Sequence, residues 1–267
     1  MKNKFPWGVF VLLILLVSCS GEKSTETKTK PVALKPYPTF NADSAYAFVQ
    51  KQVDFGPRVP GTPGHAATKV WMVETLKKYG WTVQVQDFKA QTYDDLTWDL
   101  SNVIASINPQ ATKRILLAAH WDTRRIADKD TQRIDQPIDG ANDGGSGVGV
   151  LLEIARILGL DSTLEVGVDV IFFDAEDYGA PEWAAANASN MTTWCLGSQF
   201  WANQPHKFGY QAKYGILLDM VGAKDAVFNR EGTSMAYAPS IVRKIWSAGQ
   251  GLGHDAYFKN DVTPQTV

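Results

Sequence analysis

Two stretches decide the fold of this chain, AAHWDTR (Ala118–Arg124) and DGANDGGSGVG (Asp139–Gly149). The first closes the apolar run RILLAAH (Arg114–His120), and the second leads into GVGVLLEIARIL (Gly147–Leu158). A short apolar run that ends at turn residues is typical of a strand buried on both faces, whereas apolar residues at helical spacing predict a helix. The pattern of strand, glycine-rich loop and helix indicates an α/β protein.

Two further apolar runs also end in acidic residues. They are VGVDVIFFDAEDYG (Val166–Gly179) and YGILLDMVG (Tyr214–Gly222), and both are predicted to be buried strands. Ligand sites in open parallel sheets lie beyond the carboxyl ends of the strands. We therefore expect one rim of the sheet to gather six side chains, namely His120, Asp122, Asp143, Glu176, Asp177 and Asp219. Carboxylates with a histidine suit a divalent ion, and zinc is a fitting occupant.

Length and composition indicate one ordinary globular domain. The 267 residues suffice for a single large α/β core. Hydrophobic residues make up 45% of the chain and charged residues 20%, with a formal net charge of −2. This balance gives no support for a nucleic-acid partner, since such proteins carry basic patches.

The N-terminus resembles a bacterial lipoprotein signal. Lys2 and Lys4 precede an apolar run over Val9–Val17, which is followed at once by Ser18 and Cys19. A transmembrane anchor is the alternative, but the run is short for a span. We expect a signal over residues 1–19 with lipidation at Cys19, a flexible tether over 20–38, and a catalytic domain over 39–267. The protein would then be lipid-anchored in the bacterial cell envelope, on the periplasmic or the cell-surface side.

The remaining elements follow from periodicity and turn residues. Helices are predicted over Asn41–Phe55, His65–Tyr79 and Pro239–Gly251, and strands over Trp81–Phe88, at a sheet edge, and Leu100–Ile107.

Three other parts of the chain carry expectations of their own. Pro181–Ala202 is rich in aromatic residues and is expected to lie over the rim of the sheet. His65 and His254 are expected to face solvent or to cap a helix. The final stretch, HDAYFKNDVTPQTV (His254–Val267), is expected to end without a closing strand or helix.

The acidic residues divide between metal binding and proton transfer. Glu176 and Asp177 are adjacent, so on an extended backbone one can bind a metal while the other stays free as a base. Asp143 lies among glycines that let the backbone approach an ion. Asp219 is nearly alone in an apolar strand, where a buried carboxylate requires a cation, a metal or a retained proton as its partner.

The order of these motifs resembles the zinc aminopeptidase family and its glutaminyl cyclase relatives, and most closely the bacterial cyclase-like lipoproteins. The resemblance runs from about Phe40 to the end, and GPRVPGTPGH (Gly56–His65) is similar to the family's arginine-and-glycine loop. It implies a phosphorylase/hydrolase-like α/β fold, a three-layer sandwich with a mixed, mainly parallel central sheet flanked by helices.

The resemblance also implies roles for individual residues. Asp143 and Asp177 match zinc ligands, and Glu176 matches the general acid/base. In the peptidases, His120 and Asp219 would hold a second zinc ion, with Asp143 bridging. In the cyclases, which bind one zinc ion, Asp219 matches a catalytic carboxylate and His120 supports the ligands without binding the metal.

Other positions are predicted to shape the pocket or depart from the family pattern. Trp121, Trp194 and Phe228 are expected to wall the substrate pocket. The family's last zinc ligand is a His in a C-terminal loop, and none follows Asp261, so the chain is expected to be truncated. Asp177 stands where most relatives have Glu.

Three functions follow as alternatives. The first is a glutaminyl-peptide cyclotransferase with one zinc ion, which converts N-terminal Gln to pyroglutamate and releases ammonia. The second is an aminopeptidase with two zinc ions, and the third is an inactive peptide-binding lipoprotein. In each, peptide or protein N-termini are the expected partners, together with a membrane reached through the lipid and no nucleic acid.

Overall fold

The computed structural model describes residues 38–181, 183–184 and 193–264. The predicted signal over residues 1–19, with Cys19, and the tether up to residue 37 lie outside these residues. Both therefore stay predictions. Within the described ranges, none of the helices has the length and apolar character needed to cross a membrane.

A five-stranded mixed sheet forms the centre of the domain. Its strands, named in chain order, are β1 (Thr82–Gln91), β2 (Thr97–Ile107), β3 (Arg114–His120), β4 (Gly167–Phe173) and β5 (Gly215–Leu217). Across the sheet the order is β1-β2-β4-β3-β5. β2 pairs antiparallel with β1 and β4, whereas β3 pairs parallel with β4 and β5. Of these five strands only β2 is reversed, which confirms the mixed sheet and places the carboxyl ends of β3, β4 and β5 at one rim.

The predicted helices are confirmed. The structure has α1 (Ala42–Asp54), α2 (Pro63–Lys78), α3 (Gly145–Gly159), α4 (Leu196–Asn203), α5 (Gly232–Tyr237) and α6 (Pro239–Gly251). α1 begins after Asn41, whose side chain accepts a hydrogen bond from the backbone of Ser44. α2 begins after Thr62, with a proline at its first position. Both starts follow the usual preferences at helix N-termini.

β3 and β4 are buried on both faces, as predicted. Leu117 and Phe172 point to the face covered by α3 and α2, where the largest apolar cluster lies. Ala118 and Ile171 point to the other face, where Trp201 of α4 packs against them. Helices thus cover both faces of the sheet, which is the predicted layered α/β architecture.

Two strand predictions are wrong. β5 was expected to be buried, but it has only three residues at the sheet edge, and Leu217 is 60% exposed. The final stretch was expected to contain no strand, yet it forms β7 (Phe258–Thr263), which pairs parallel with β6 (Phe228–Glu231) in a second sheet. Contacts of Phe258 with Phe228 and Trp246 explain this strand, because they supply packing that local polarity does not indicate.

Candidate metal centre and active site

His120 is the last residue of β3, and acidic side chains lie close to both nitrogens of its ring. Its Nε2 lies 3.0 Å from Asp143 Oδ1 and 3.5 Å from Asp219 Oδ1. Its Nδ1 lies 3.4 Å from Asp122 Oδ1 and 3.8 Å from Glu176 Oε2. The side chains that the sequence assigns to different strand ends and to the glycine-rich loop therefore meet around one imidazole.

The electrostatics of His120 follow from this arrangement. Burial by itself would lower the pKa of its ring, since the side chain is almost wholly enclosed. The nearby carboxylates of Asp122, Asp143 and Asp219 outweigh burial and raise the pKa of His120 well above its ordinary value. The ring is thus surrounded by negative charge, which is the environment that a cation requires.

Asp122 fixes the backbone that carries the acidic pair. Its carboxylate accepts hydrogen bonds from the amides of Glu176 at 2.9 Å and of Asp177 at 3.1 Å. Ala175 has a φ of 49°, so the chain turns sharply after β4 instead of continuing as the extended strand that we expected. This turn directs the Glu176 side chain towards His120.

Burial changes the proton affinity of both members of the acidic pair. It raises the pKa of Glu176 to about 7, against an opposing effect of His120. It also raises the pKa of Asp177 to about 8, with the charges of Asp143 and Asp122 adding to the shift. Arg124 lies 3.5 Å from one oxygen of Asp177, whereas the other oxygen, Oδ2, is buried without a hydrogen-bond partner.

The donor atoms fit a zinc ion. Among the described residues, His120, Asp143 and Asp219 each offer a ligand atom, and these atoms lie within 4.8 Å of one another. His120 Nε2 makes no properly directed hydrogen bond despite its short distance to Asp143, and Asp177 Oδ2 has none either. Buried polar atoms are seldom left unpaired. Imidazole nitrogen and carboxylate oxygen are both zinc ligands, so these two atoms are suited to face a metal.

Two predictions near this site need correction. His65 was expected to face solvent or cap a helix, but it is buried, and its Nε2 lies 2.9 Å from Asp174. Trp121 was expected to wall the substrate pocket, but it is fully buried. The Trp121 ring stacks on His65 with 4.3 Å between centroids, and its indole nitrogen donates to the carbonyl of Ser101. The sequence offers one signal for His65: Asp174 follows an apolar strand, and a buried carboxylate requires a partner.

A cavity of about 600 Å³ lies against the cluster. His120, Glu176, Cys195 and Asp219 are among the polar residues that line it, and Phe173, Trp201 and Ile216 are among the apolar ones. Cys195 and Trp201 both belong to Pro181–Ala202, the aromatic-rich stretch that was expected to lie over the rim, but the sequence did not single out either residue.

Neither remaining aromatic prediction places a residue in this cavity lining. Phe228 packs against Phe258 in the second sheet, and its carbonyl accepts from the indole of Trp246. Trp194 is half-buried beside Gly179, and the guanidinium of Arg124 lies 4.8 Å above its ring.

Solved structures with the same fold bear on the chemistry of this site. The glutaminyl cyclase of Bacteroides thetaiotaomicron bound to N-acetylhistamine is 45% identical, with a TM-score of 0.84, over 86% of this chain and 79% of that one. A Zn-dependent exopeptidase from Parabacteroides distasonis is 47% identical, with a TM-score of 0.83, over 87% of this chain and 79% of that one. The chain is thus similar both to a cyclase and to a peptidase.

Comparison by sequence leads to the same group of proteins. The glutaminyl-peptide cyclotransferase of Gloydius blomhoffii is 28% identical over 195 residues, which cover 64% of this chain and 50% of that protein. The chain spans about half the length of the curated relatives that it matches. Residues 102–266 match the family described as Peptidase family M28. With its mixed sheet and its His120-centred acidic cluster, this chain belongs to Peptidase family M28.

Proposed function

We propose that this chain carries the active site of a zinc-dependent glutaminyl-peptide cyclotransferase, which converts an N-terminal Gln to pyroglutamate and releases ammonia. One observation carries the proposal: Glu176 and Asp219 face the same cavity and approach opposite nitrogens of His120. Both carboxylates can therefore contact the side-chain amide of a Gln bound in this cavity. The similarity to the Bacteroides thetaiotaomicron glutaminyl cyclase supports the assignment.

In cyclisation the substrate's own α-amine is the nucleophile, so no water molecule is consumed. A proton must still move from the amine to the departing nitrogen. The α-amine nitrogen attacks the γ-carboxamide carbon, the bond from that carbon to the amide nitrogen breaks, and ammonia departs. Glu176 is largely buried but open to the cavity, so it can take the proton from the amine and deliver it to the departing nitrogen. Asp143 and Asp177 would hold the zinc ion, which supplies Lewis-acid polarisation of the carboxamide carbonyl when bound.

Asp219 is suited to orient the carboxamide. The neighbouring His120 lowers the pKa of the Asp219 carboxyl below its ordinary value, although burial opposes the shift. The Asp219 side chain is 41% exposed and lines the cavity, so its carboxylate can contact a ligand there. An ionised carboxylate accepts hydrogen bonds only, and the N–H groups of the substrate amide are donors.

An aminopeptidase is the second candidate, and the described metal cluster favours it. His120, Asp143 and Asp219 could hold a second zinc ion, as in the alternative drawn from the sequence. The similarity to the Zn-dependent exopeptidase supports this candidate too. In that reaction Glu176 would take a proton from water, and the product would be a free amino acid.

The products formed from a peptide with an N-terminal Gln distinguish the two activities. The purified protein, supplied with zinc, is incubated with the peptide, and the products are identified by mass spectrometry together with an ammonia assay. The proposal predicts pyroglutamyl peptide and an equal amount of ammonia. Release of free Gln with a shortened peptide would support the aminopeptidase instead. Glu176→Gln is the matched control, since it keeps the side-chain shape but cannot carry the proton.

We also propose that the protein is lipid-anchored in the bacterial cell envelope through Cys19. The support is the sequence alone, in which Lys2 and Lys4 precede an apolar run that leads to Cys19.

A further inference from the structure

Cys195 precedes α4, and its side chain faces the carboxylate of Glu176. The Sγ atom donates to Glu176 Oε1 at 3.4 Å, while the other oxygen of the same carboxylate faces His120 Nδ1 at 3.8 Å. Cys195 also contributes to the lining of the cavity. The thiol thus contacts the proposed proton carrier on the side away from the histidine.

A short ladder of backbone hydrogen bonds fixes the thiol in this place. Three successive amides donate to three successive carbonyls at 2.9 Å each, from Cys195 to Glu176, from Leu196 to Ala175, and from Gly197 to Asp174. Asn102 joins the same two segments, because it accepts from the amide of Asp174 and donates to the carbonyl of Gly197. The start of α4 is therefore bound to the turn over Asp174–Asp177, which we call the acidic turn, independently of the thiol.

We infer that Cys195 is a positioning residue for Glu176: its thiol holds one carboxylate oxygen so that the other is presented to His120 and the cavity. This inference rests on the proposed function, in which Glu176 moves the proton. A glutamate side chain has several rotatable bonds, and a directed donor reduces the number of rotamers that it samples.

A thiol suits this position better than a charged donor. Burial and the neighbouring Glu176 raise the pKa of Cys195 to about 12, so the thiol keeps its proton and remains a donor at neutral pH. Because S–H is a weak, neutral donor, it orients the carboxylate without the strong stabilisation of the anion that Lys or Arg would give. Glu176 can then still accept a proton.

Two substitutions separate the thiol's donor function from its bulk. Cys195→Ser keeps a donor on the same carbon, whereas Cys195→Ala removes it, and neither side chain is β-branched. We expect Cys195→Ala to lower kcat for a Gln-initiated peptide by about tenfold, with KM changed by less than about twofold. Cys195→Ser should recover most of kcat. Asn203→Ala removes an exposed amide that donates within α4, and it should leave kcat unchanged.

Crystal structures of the two Cys195 variants provide a second readout that does not depend on turnover. Glu176 should keep its rotamer in Cys195→Ser and rotate, or adopt several conformers, in Cys195→Ala. The inference is overturned if Glu176 keeps its position in Cys195→Ala, or if the Ser and Ala variants have the same kcat. If the wild type forms no pyroglutamate, the proposed function fails, and the two structures still decide whether Cys195 positions Glu176.

Discussion

His65 Nε2 lies 2.9 and 3.0 Å from the two carboxylate oxygens of Asp174. This pair joins the start of α2 to the end of β4, two residues before Glu176. Asp174 is fully enclosed, and it also accepts a hydrogen bond from the amide of Ser101. The turn that carries Glu176 is therefore held in place by a buried hydrogen-bonded pair.

Loss of this buried pair should destabilise the protein strongly. His65→Ala removes a buried hydrogen-bond partner of Asp174, so we expect the free energy of unfolding to fall by about 3 kcal/mol. Urea denaturation followed by tryptophan fluorescence measures this change. Lys89→Ala, which removes an exposed ion pair with Asp99, should cost less than about 1 kcal/mol. Equal losses in the two variants would contradict the structural role of His65.

The buried ion pair between Arg114 and Asp169 should make stability depend on pH. Asp169 accepts hydrogen bonds from Arg114, Ser106 and Tyr210. Burial alone would raise the pKa of Asp169, but these partners hold it below its ordinary value of 3.8. Since the pKa is lower in the folded state, the stabilisation is present above the ordinary pKa and is lost as pH falls through the folded pKa.

The variant Asp169→Asn tests this acid dependence. It should be less stable than the wild type by about 3 kcal/mol at neutral pH, and the difference should shrink as the pH falls below about 4. Thermal unfolding across this range gives the measurement. Asp99→Asn, at an exposed pair with Lys89, should follow the wild-type profile. A constant difference between Asp169→Asn and the wild type at all pH values would argue against the ion pair as its source.

The contact between α4 and the acidic turn requires glycine at position 197. A Cβ there would lie 2.4 Å from both Asn102 Oδ1 and the carbonyl oxygen of Asp174. Gly197→Ala should therefore lower the free energy of unfolding by about 2 kcal/mol and reduce kcat, because it displaces the turn that carries Glu176. Gly251→Ala, with open space around the added carbon, should leave both quantities nearly unchanged. Normal turnover in Gly197→Ala would be inconsistent with the close packing.

Removal of a proposed ligand should weaken zinc binding selectively. Asp143→Ala should raise the Kd for zinc by at least about a hundredfold, as measured by competition with a chromogenic chelator. Asp139→Ala is the matched control in the same loop, since the structure uses the Asp139 carbonyl to bind Arg58. It should retain zinc affinity. Similar losses in both variants would indicate that the loop conformation, and not the Asp143 carboxylate, determines binding.

Lipid attachment can be tested in cells that express the whole chain. Cys19→Ser should abolish incorporation of labelled palmitate and move the protein from the membrane fraction to the soluble fraction. Cys195→Ser should still incorporate palmitate and remain in the membrane fraction, because Cys195 belongs to the folded domain and not to the lipoprotein signal. Labelling that persists in Cys19→Ser would exclude Cys19 as the lipidated residue.

Local pattern was sufficient for the elements with strong periodicity. β3, β4 and α3 lie where their apolar runs predict, because burial on both faces of a strand or along one helix face leaves a clear signal. The same pattern predicted that polar side chains meet at the rim formed by the carboxyl ends of β3 and β4. This is why the sequence alone could group His120, Asp143 and Glu176.

Tertiary contacts determined what the sequence pattern did not predict. β7 depends on the packing of Phe258 against a distant segment, and the burial of His65 depends on Asp174. Trp121 lies between two metal-site candidates in the chain, yet its side chain turns into the core. Successive residues beyond a strand end point in different directions, so proximity to the site in sequence did not place this ring in the pocket.

Zinc content per chain, measured together with ammonia release from a peptide with an N-terminal Gln, distinguishes the cyclase from the aminopeptidase. The cyclase should hold one zinc ion per chain and release one ammonia for each pyroglutamyl peptide formed, and Glu176→Gln should lose both products while the zinc remains. Two zinc ions per chain, with free amino acid and no ammonia, would contradict the cyclase assignment and favour an aminopeptidase.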